Sequence, residues 1–453
     1  MAHMIAAAAT GMVRSAIGIL RMSGDGCIET AAKIFAANSG KPLTEAQDRR
    51  MILGALHDAQ GRVIDRCVAV VSHAPHSYTG EDVCEFQCHG SPAVLAAGLH
   101  ALFSLGARQA ERGEFTKRAF LNGRMDLTQA EAVIDLIDAE TADAAANAAG
   151  QVAGSMLRRI APLYEAMEDV CAHFHAVLDY PDEDIDPFSL EAYRKTLQSV
   201  REELAGLLGS CDRGRRIKNG IRTVILGSPN AGKSSLLNAL CGYDRVIVTE
   251  IAGTTRDTVE ESVTVGRHLL RLFDTAGIRE TDDRIERMGV ERAERAAEEA
   301  ELALFVCDAA KPISGEDRRA MQSAKRARNV IALRNKTDLP CVVSEAELPF
   351  ETVLSVCARD GTGLSALEAA LDRLFPDELA CDGSILTNVR QSDAVQKAAD
   401  SVDAALSSLD AGFTPDAVLT DVEAAMQSLG EVTGRTVRED VTNRIFERFC
   451  VGK

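Results

Sequence analysis

Gly227-Ser228-Pro229-Asn230-Ala231-Gly232-Lys233-Ser234 is the stretch that decides the fold class of this 453-residue chain. It fits the phosphate-binding loop pattern G-x-x-x-x-G-K-S, in which glycines let backbone N–H groups curl around phosphates without a Cβ in the way. In that pattern Lys233 reaches the terminal phosphates and Ser234 can ligate Mg²⁺. A strand-like run at residues 221–226 precedes the loop, and helix-forming residues follow it. This context predicts that the chain binds a nucleoside triphosphate.

Strand-like runs and helical segments alternate after this loop. The further predicted strands are residues 268–273, 302–307, 330–334 and 352–356. Such alternation is typical of a doubly wound, largely parallel sheet. Residues 127–149, by contrast, are Ala-rich and contain no helix breaker, and the helical texture returns after residue 376. We therefore predict an α/β block inserted into a helical region, because insertion is tolerated when the termini of the guest lie close together.

Two further motifs and a short segment follow the predicted strands in order. In Asp274-Thr275-Ala276-Gly277 the Asp can hold a magnesium-bound water, and the last N–H can sense a γ-phosphate. Asn335-Lys336-Thr337-Asp338 carries a carboxylate suited to the two N–H donors on a guanine edge, which adenine lacks. Cys357-Ala358-Arg359 lies where a backbone N–H would meet the guanine oxygen. Together with the phosphate loop, these segments predict a Ras-like G domain that binds GTP.

The charge balance limits how the chain could bind RNA. A formal net charge of −18 means that the average field repels nucleic acid, so any contact needs a local basic patch or a partner. Solvated helix ends are the alternative explanation for such basic runs. The candidate cations are Arg213, Arg215, Arg216 and Lys218, and also Arg108, Arg112, Lys117 and Arg118.

The twelve cysteines show no paired C-x-x-C spacing, which favours free thiols in a reducing, cytoplasmic setting. Five His and Cys residues that lie close in sequence could bind a metal, although their spacing matches no standard zinc pattern. The alternative is that they are buried thiols beside histidines in turns. This group comprises His73, His76, Cys84, Cys88 and His89. The longest apolar stretch, residues 92–107, is too short to span a membrane.

Four more motifs lie outside the general GTPase set. They are Gly253-Thr254-Thr255-Arg256-Asp257, Ser77-Tyr78-Thr79-Gly80-Glu81-Asp82-Val83, Gly113-Glu114-Phe115-Thr116-Lys117-Arg118-Ala119-Phe120-Leu121-Asn122-Gly123-Arg124-Met125-Asp126-Leu127 and Phe449-Cys450-Val451-Gly452-Lys453. With them the chain resembles, over essentially its whole length, the MnmE (TrmE) family of tRNA modification GTPases. The resemblance implies an α/β plus α fold in four segments. These are an N-terminal mixed α/β, tetrahydrofolate-binding and dimerisation domain (1–121), a discontinuous all-helical domain (122–216 and 377–453, with the C-terminal tail) and an inserted doubly wound G domain (217–376).

The resemblance also implies how the G domain hydrolyses GTP to GDP and phosphate. Ser234 and Thr255 would ligate Mg²⁺. A K⁺ ion would take the place of an arginine finger, held by the Asn230 side chain and by Thr249, Ile251 and Thr254. The GTP-binding set would be Asn230, Ala231, Gly232, Lys233, Ser234, Ser235, Thr249, Thr254, Thr255, Asp274, Thr275, Ala276, Gly277, Asn335, Lys336, Asp338, Cys357, Ala358 and Arg359.

The residue that orients the attacking water is not beside the 274–277 motif, because Ile278 stands where small GTPases have Gln. The resemblance implies that Glu286 takes this catalytic role. From residue type alone, a helix-surface carboxylate paired with Arg is the alternative.

At the other end of the chain, the resemblance implies a site for a tetrahydrofolate derivative, 5-formyl- or methylene-tetrahydrofolate. Arg21, Glu85, Arg124 and Lys453 would bind it, since a carboxylate can hold pterin N–H groups and cations suit the glutamate tail. Cys450 is a candidate catalytic thiol; a small apolar role is the alternative. Residues 9–16 replace a Pro- and Gly-rich turn usual in the family, and Cys357 stands where Ser is usual.

The implied function is that of a K⁺-dependent GTPase in modification of C5 of the wobble uridine (U34) of tRNA. The expected partners are a second copy of the chain, the flavoprotein MnmG in a heterotetramer, and tRNA, in the cytoplasm. The implied product is an aminomethyl- or carboxymethylaminomethyl-type group built with a folate one-carbon unit. A GTPase switch for ribosome assembly and a folate enzyme merely regulated by its GTPase are the rival functions.

Overall fold

The structure, a computed structural model, describes residues 3–179, 190–243, 261–273, 294–376, 381–437 and 439–453. The chain divides into two compact units. Unit one contains Met1–Ile134, Gln151–Arg201 and Ala394–Lys453, and unit two contains Asp135–Gly150 and Glu202–Asp393. Each unit is therefore built from segments that are distant in sequence.

Unit one contains a seven-stranded sheet. Its strands are β1 (Ile5–Ala8), β2 (Ile17–Ser23), β3 (Phe35–Ala37), β4 (Met51–His57), β5 (Val63–Ser72), β6 (Val83–His89) and β7 (Arg108–Gln109). Their order is β3-β4-β5-β6-β2-β1-β7, with neighbours antiparallel except β1 and β7. Helices α1 (Cys27–Ile34), α2 (Pro92–Ser104) and α3 (Glu114–Leu121) accompany the sheet.

Helix α2 packs closely on this sheet because a glycine faces the strands. A Cβ on Gly98 would lie 2.4 Å from a methyl carbon of Leu20, so any larger residue would require the Leu20 side chain to shift. Phe86, Leu56 and Leu102 are fully buried in the same apolar core. The predicted mixed α/β texture of the first 121 residues is thus confirmed.

The helical elements that follow are α4 (Leu127–Ile137), α5 (Ala142–Val152), α6 (Ser155–Asp179), α7 (Leu190–Gly209) and α8 (Cys211–Asn219). The Ala-rich run at residues 127–149 forms two helices rather than one. The Thr141 hydroxyl accepts a hydrogen bond from the Ala144 N–H at 3.1 Å, so it caps a new helix where the sequence shows no glycine or proline.

Unit two contains a six-stranded sheet. Its elements are β8 (Ile221–Leu226), α9 (Lys233–Tyr243), β9 (Glu261–Val265), β10 (His268–Leu272), β11 (Leu302–Asp308), α10 (Gly315–Ala324), β12 (Asn329–Asn335), β13 (Thr352–Ser355) and α11 (Leu364–Leu374). The order is β13-β12-β11-β8-β10-β9, and all neighbours are parallel except β9 and β10. The five predicted strands are confirmed. The antiparallel edge strand β9 was not predicted.

Three further helices follow in the chain: α12 (Val389–Asp410), α13 (Pro415–Thr433) and α14 (Glu439–Phe446). Within unit one, α6 and α13 are neighbours, and the Cys171 and Met426 sulfur atoms lie 3.5 Å apart. Over the ranges that the structure describes, no helix is both long and apolar enough to cross a membrane.

Candidate functional site

The phosphate loop of unit two connects β8 to α9, and Lys233 is the first residue of the helix. Its Nζ donates to the carbonyl oxygens of Gly227 at 2.8 Å and Ser228 at 2.9 Å. Burial lowers the pKa of Lys233, while Asp317 and Glu316 act in the opposite direction. A partly buried ammonium at a helix N-terminus suits the negative charge of a phosphate group, so the loop fits the ligand that its sequence predicts.

Two backbone conformations shape this loop. Gly232 has a φ of 98°, and a Cβ there would lie 2.2 Å from the Asn335 Nδ2, so the position accepts only glycine. Asn230 adopts a left-handed φ of 60°, which Asn tolerates better than most residues. Ser234 and Ser235 are exposed in the first turn of α9.

Asn335 joins the phosphate loop to the loops that the sequence assigns to guanine. Its buried Nδ2 donates to the Ala231 carbonyl oxygen at 2.9 Å. Its Oδ1 accepts from the backbone N–H of Lys336 at 2.8 Å and of Ala358 at 3.0 Å. One amide therefore holds three predicted site segments together.

The remaining guanine-side residues differ in exposure. Asp338 and Arg359 are exposed, whereas Cys357 is buried and its N–H donates to the Thr362 carbonyl oxygen at 2.9 Å. The Asp338 carboxylate is exposed beside an anchored loop, so it is accessible to a nucleobase. Cys357 thus contributes to the loop through its backbone N–H.

One residue of this site was not predicted from the sequence. Asp308 ends β11, lies opposite Asn335 in the parallel register, and accepts a hydrogen bond from Lys336 Nζ at 2.7 Å. The available signal was its position, since ligand sites of doubly wound sheets lie at the carboxyl ends of the strands.

Several predicted site residues lie outside the described residues. They are Thr249, Ile251, Thr254, Thr255, Asp274, Thr275, Ala276, Gly277 and Glu286. Of the predicted ion ligands, the structure describes Asn230 for K⁺ and Ser234 for Mg²⁺. The potassium cage and the water-orienting carboxylate therefore stay predictions.

In unit one, Arg21 of β2 and Glu85 of β6 are direct partners in the antiparallel register. The Arg21 Nε donates to Glu85 Oε1 at 2.6 Å. The guanidinium also lies 5.4 Å from the ring centre of Tyr78 and 5.7 Å from that of Phe115. Both rings belong to motifs quoted above, but residue type gave no sign that they would flank Arg21.

The last five residues reach the same place. Arg21 donates to the Gly452 carbonyl oxygen at 3.4 Å, and the Phe115 N–H donates to the Lys453 oxygen at 3.2 Å. Burial lowers the pKa of Lys453, and the charge of Arg21 lowers it further, while Glu85 opposes this. The structure thus brings together Arg21, Glu85 and Lys453, two cations and one carboxylate.

The other two residues predicted to act near the folate site are Arg124 and Cys450. The Arg124 Nε donates to the Ser77 carbonyl oxygen at 3.1 Å, one residue before Tyr78. The Cys450 side chain is exposed, and its carbonyl oxygen accepts from the Gly113 N–H at 3.3 Å. A small apolar packing role for this thiol is therefore disfavoured, because the side chain does not lie in a core.

Some of the candidate RNA-binding cations form ion pairs within the protein. Lys218 pairs with Asp135 at 2.7 Å, and Arg118 pairs with Glu81 at 2.8 Å. Arg213 is buried. The metal alternative near residue 84 also finds no support, because the described part of the chain contains no group of His, Cys, Asp and Glu able to hold a metal ion. Cys84 and Cys88 are buried thiols instead.

Comparisons with known proteins agree with this arrangement. Residues 4–124 match the family model "GTP-binding protein TrmE N-terminus", and residues 127–450 match "MnmE helical domain". The tRNA modification GTPases MnmE of Symbiobacterium thermophilum and Lachnoclostridium phytofermentans are each 41% identical to this chain, over 99% of both chains. A solved structure, the G domain of the T. maritima FeoB iron transporter, covers 35% of this chain and 99% of its own, with 20% identity and a TM-score of 0.26, which is too low to support an inference.

The family models together span nearly all of the chain, and full-length relatives share two-fifths of its residues. These relatives are named as GTPases of tRNA modification, so the activity of this chain is GTP hydrolysis in that process. The chain belongs to the MnmE family of tRNA modification GTPases.

Proposed function

We propose that this GTPase is activated by K⁺ and works with the flavoprotein MnmG to modify C5 of the wobble uridine (U34) of tRNA with a folate-derived one-carbon unit. The observation that carries the proposal is the convergence of Arg21, Glu85 and Lys453, which are distant in sequence, in a chain that also holds a GTP site. A nucleotide-only switch has no use for such a cluster.

In the GTP site, Lys233 contacts the terminal phosphates, and Ser234 ligates Mg²⁺ together with Thr255. The Asp338 carboxylate reads the guanine N–H groups, and the loop at Cys357, Ala358 and Arg359 offers backbone N–H groups to the guanine oxygen. Water attacks the γ-phosphorus, the bond to the β-phosphate oxygen breaks, and GDP and phosphate leave. Glu286 orients that water.

Potassium takes the place of an arginine finger in the proposal. The Asn230 side-chain oxygen would be one of its ligands. Asn230 lies on a loop that contacts of Lys233 and Asn335 both anchor. A fixed cation at this place stabilises charge that develops on the phosphates. Equal GTPase rates in K⁺ and Na⁺ at matched ionic strength would contradict this step. Glu286→Ala should bind GTP but lose turnover.

The cluster in unit one suits a tetrahydrofolate derivative. Glu85 has the acceptor oxygens that pterin N–H groups need, and Arg21, Lys453 and Arg124 supply positive charge for the glutamate tail. When bound, the cofactor supplies the one-carbon unit that links C5 to an amine. Cys450, whose thiol is exposed on the same tail, is the proposed reactive group next to it.

Homodimerisation involves the same sheet face in the proposal. Met51 is 73% exposed and Leu53 57% exposed on β4. Strand register places Met51, Val70, Glu85 and Arg21 in one row, so the exposed apolar residues and the cluster share a face. A second copy would cover apolar surface there and shield the cluster from water. Two copies with two MnmG subunits make the proposed cytoplasmic heterotetramer.

The deciding experiment is mass spectrometry of wobble uridines from a strain that lacks this protein. Complementation with the unaltered gene should restore the C5 group, and Arg21→Met should not, although the purified variant keeps its GTPase rate. Complete modification in the deletion strain, with ribosomal subunits accumulating, would instead favour the ribosome-assembly function. Folate binding that ignores the nucleotide state would favour a folate enzyme regulated by its GTPase.

A further inference from the structure

A partly buried carboxylate holds the lysine of the guanine-side loop. Asp308 Oδ2 accepts from Lys336 Nζ at 2.7 Å, and Oδ1 accepts from the Ala310 N–H at 3.1 Å. The Asp308 side chain is only 11% exposed. Both oxygens are therefore directed by the fold, one toward the backbone after β11 and the other toward Lys336.

The same ammonium contacts the phosphate loop. Lys336 Nζ donates to the Asn230 carbonyl oxygen at 2.8 Å. Asn230 and Lys336 both have left-handed φ values, 60° and 65°, so each loop turns sharply at the residue that makes this contact. A lysine ammonium on a flexible four-carbon stem does not choose one acceptor by itself, and a second, charged partner gives it a direction.

Asp308 is ionised at neutral pH. Burial raises the pKa of Asp308, but the hydrogen bonds from Lys336 and the Ala310 N–H outweigh burial and lower it below the usual value. Lys311 is the other cation close by, at 3.8 Å and 71% exposed, so Lys336 is the partner with hydrogen-bond geometry. The pair is a charge-assisted hydrogen bond in a partly dry site.

We propose that Asp308 is a positioning residue for guanine nucleotide binding. It directs Lys336 onto the Asn230 carbonyl oxygen and thereby sets the spacing between the phosphate loop and the guanine-side loop. The inference rests on GTP occupying the site as proposed above. It assigns no contact between Asp308 and the nucleotide, so its effect must pass through Lys336.

A double-mutant cycle on the full-length chain tests this route. Asp308→Asn keeps the size and one acceptor oxygen but removes the charge, and it should weaken GDP affinity about fivefold to tenfold. Lys336→Met should weaken it at least as much. Asp308→Asn combined with Lys336→Met should be no weaker than Lys336→Met alone, because Asp308 then has no lysine to direct. The GTP KM of Asp308→Asn should rise by the same factor as its Kd, with kcat changed less than about twofold.

The control is Glu345→Gln. Glu345 pairs with Arg334, the residue before Asn335 on β12, at 3.1 Å. The Glu345→Gln variant should bind GDP like the parent protein. Parental GDP affinity in Asp308→Asn, or additive losses in the double variant, would overturn the proposal. If Asp308→Asn does not fold, Asp308→Glu replaces it in the test, because it displaces the carboxylate from Lys336. An unchanged GDP affinity of Asp308→Glu would likewise overturn the proposal. Failure of the parent protein to bind GDP would instead refute the site itself.

Discussion

The side-chain amide of Asn335 donates to the Ala231 carbonyl oxygen across 2.9 Å, although the two residues are 104 positions apart in the chain. Both groups are buried, so neither can exchange its partner for water. The contact ties the phosphate-loop motif to the strand that leads into the loop proposed to bind guanine. In the proposed GTP site, guanine recognition and phosphate binding therefore share one structural element.

Asn335→Ala should reduce GDP affinity about 30-fold or more, because it leaves the Ala231 carbonyl oxygen and the Ala358 N–H without a partner, at about 1 kcal/mol or more each. Titration calorimetry measures the loss. Asn329→Ala is the matched control. Asn329 begins the same strand and donates to the Glu301 carbonyl oxygen at 3.1 Å, away from the loops. A control that loses as much affinity would mean that strand damage, not loop linkage, is responsible.

Lys233→Met should abolish GTP binding and yet cost the nucleotide-free protein little stability. The lowered pKa of Lys233 in the parent protein shows that burial disfavours the charged form. That unfavourable contribution to stability offsets the two hydrogen bonds from Lys233 to Gly227 and Ser228. We expect a change in the free energy of unfolding within about 1 kcal/mol. Urea unfolding without nucleotide checks it, and a loss above about 3 kcal/mol would show that the lysine is a structural residue.

Gly452→Ala should weaken binding of 5-formyl-tetrahydrofolate at least about tenfold. Gly452 has a φ of 99°, and an added Cβ would lie 2.1 Å from the Ala8 carbonyl oxygen, so the tail must move and take Lys453 with it. Gly412→Ala is the control, since its φ is 67° but nothing lies within 4 Å of its Cβ. Equal folate affinity in the two variants would separate the tail from the cofactor site.

Glu114→Gln should destabilise the protein in a pH-dependent way. Burial raises the pKa of Glu114, but the hydrogen bonds from Arg108, Arg118 and the Glu111 N–H outweigh it, so the folded-state pKa is below the usual value. The stabilisation is therefore present above the unfolded-state pKa and is lost as the pH falls through the folded-state pKa. The variant should be about 2–4 kcal/mol less stable at pH 7, and the gap should narrow below about pH 4.

Urea midpoints at pH 7 and pH 3.5 measure this gap. Glu111→Gln, in the same turn, removes an exposed carboxylate and should behave like the parent at both pH values. A gap that is constant with pH would show that the Glu114 charge contributes nothing.

The parts of the fold that follow from local pattern could be predicted from the sequence. Residues 221–226 form a strand because a run rich in β-branched and apolar residues, buried except at Arg222, ends at a glycine-rich loop. The edge strand Glu261–Val265 was not predicted, because its alternating pattern is short and weakened by Glu, Ser and Thr. The break between α4 and α5 was also missed, because a single Thr cap inside an Ala-rich run is a weak signal.

The candidate site divides in the same way. Lys233 and Asn335 stand in motifs whose spacing encodes their role. Asp308 contacts Lys336 from the neighbouring strand, whereas Tyr78 and Phe115 approach Arg21 from a loop and from a helix. No local pattern marks which acid or ring will face a given cation. Arg21, Glu85 and Lys453 were assigned through family resemblance alone, since their proximity depends on strand pairing and on a tail that returns to β2.

That returning tail has a consequence for biosynthesis. The contact from Arg21 to the Gly452 carbonyl oxygen joins residues 431 positions apart. At elongation rates of roughly 5–20 residues per second, the ribosome makes the second of them about 20 to 90 seconds after the first. The N-terminal sheet can form early on the nascent chain, but Arg21 lacks this partner until residue 452 has been made. A truncated product would therefore fold this sheet without gaining the complete cation cluster.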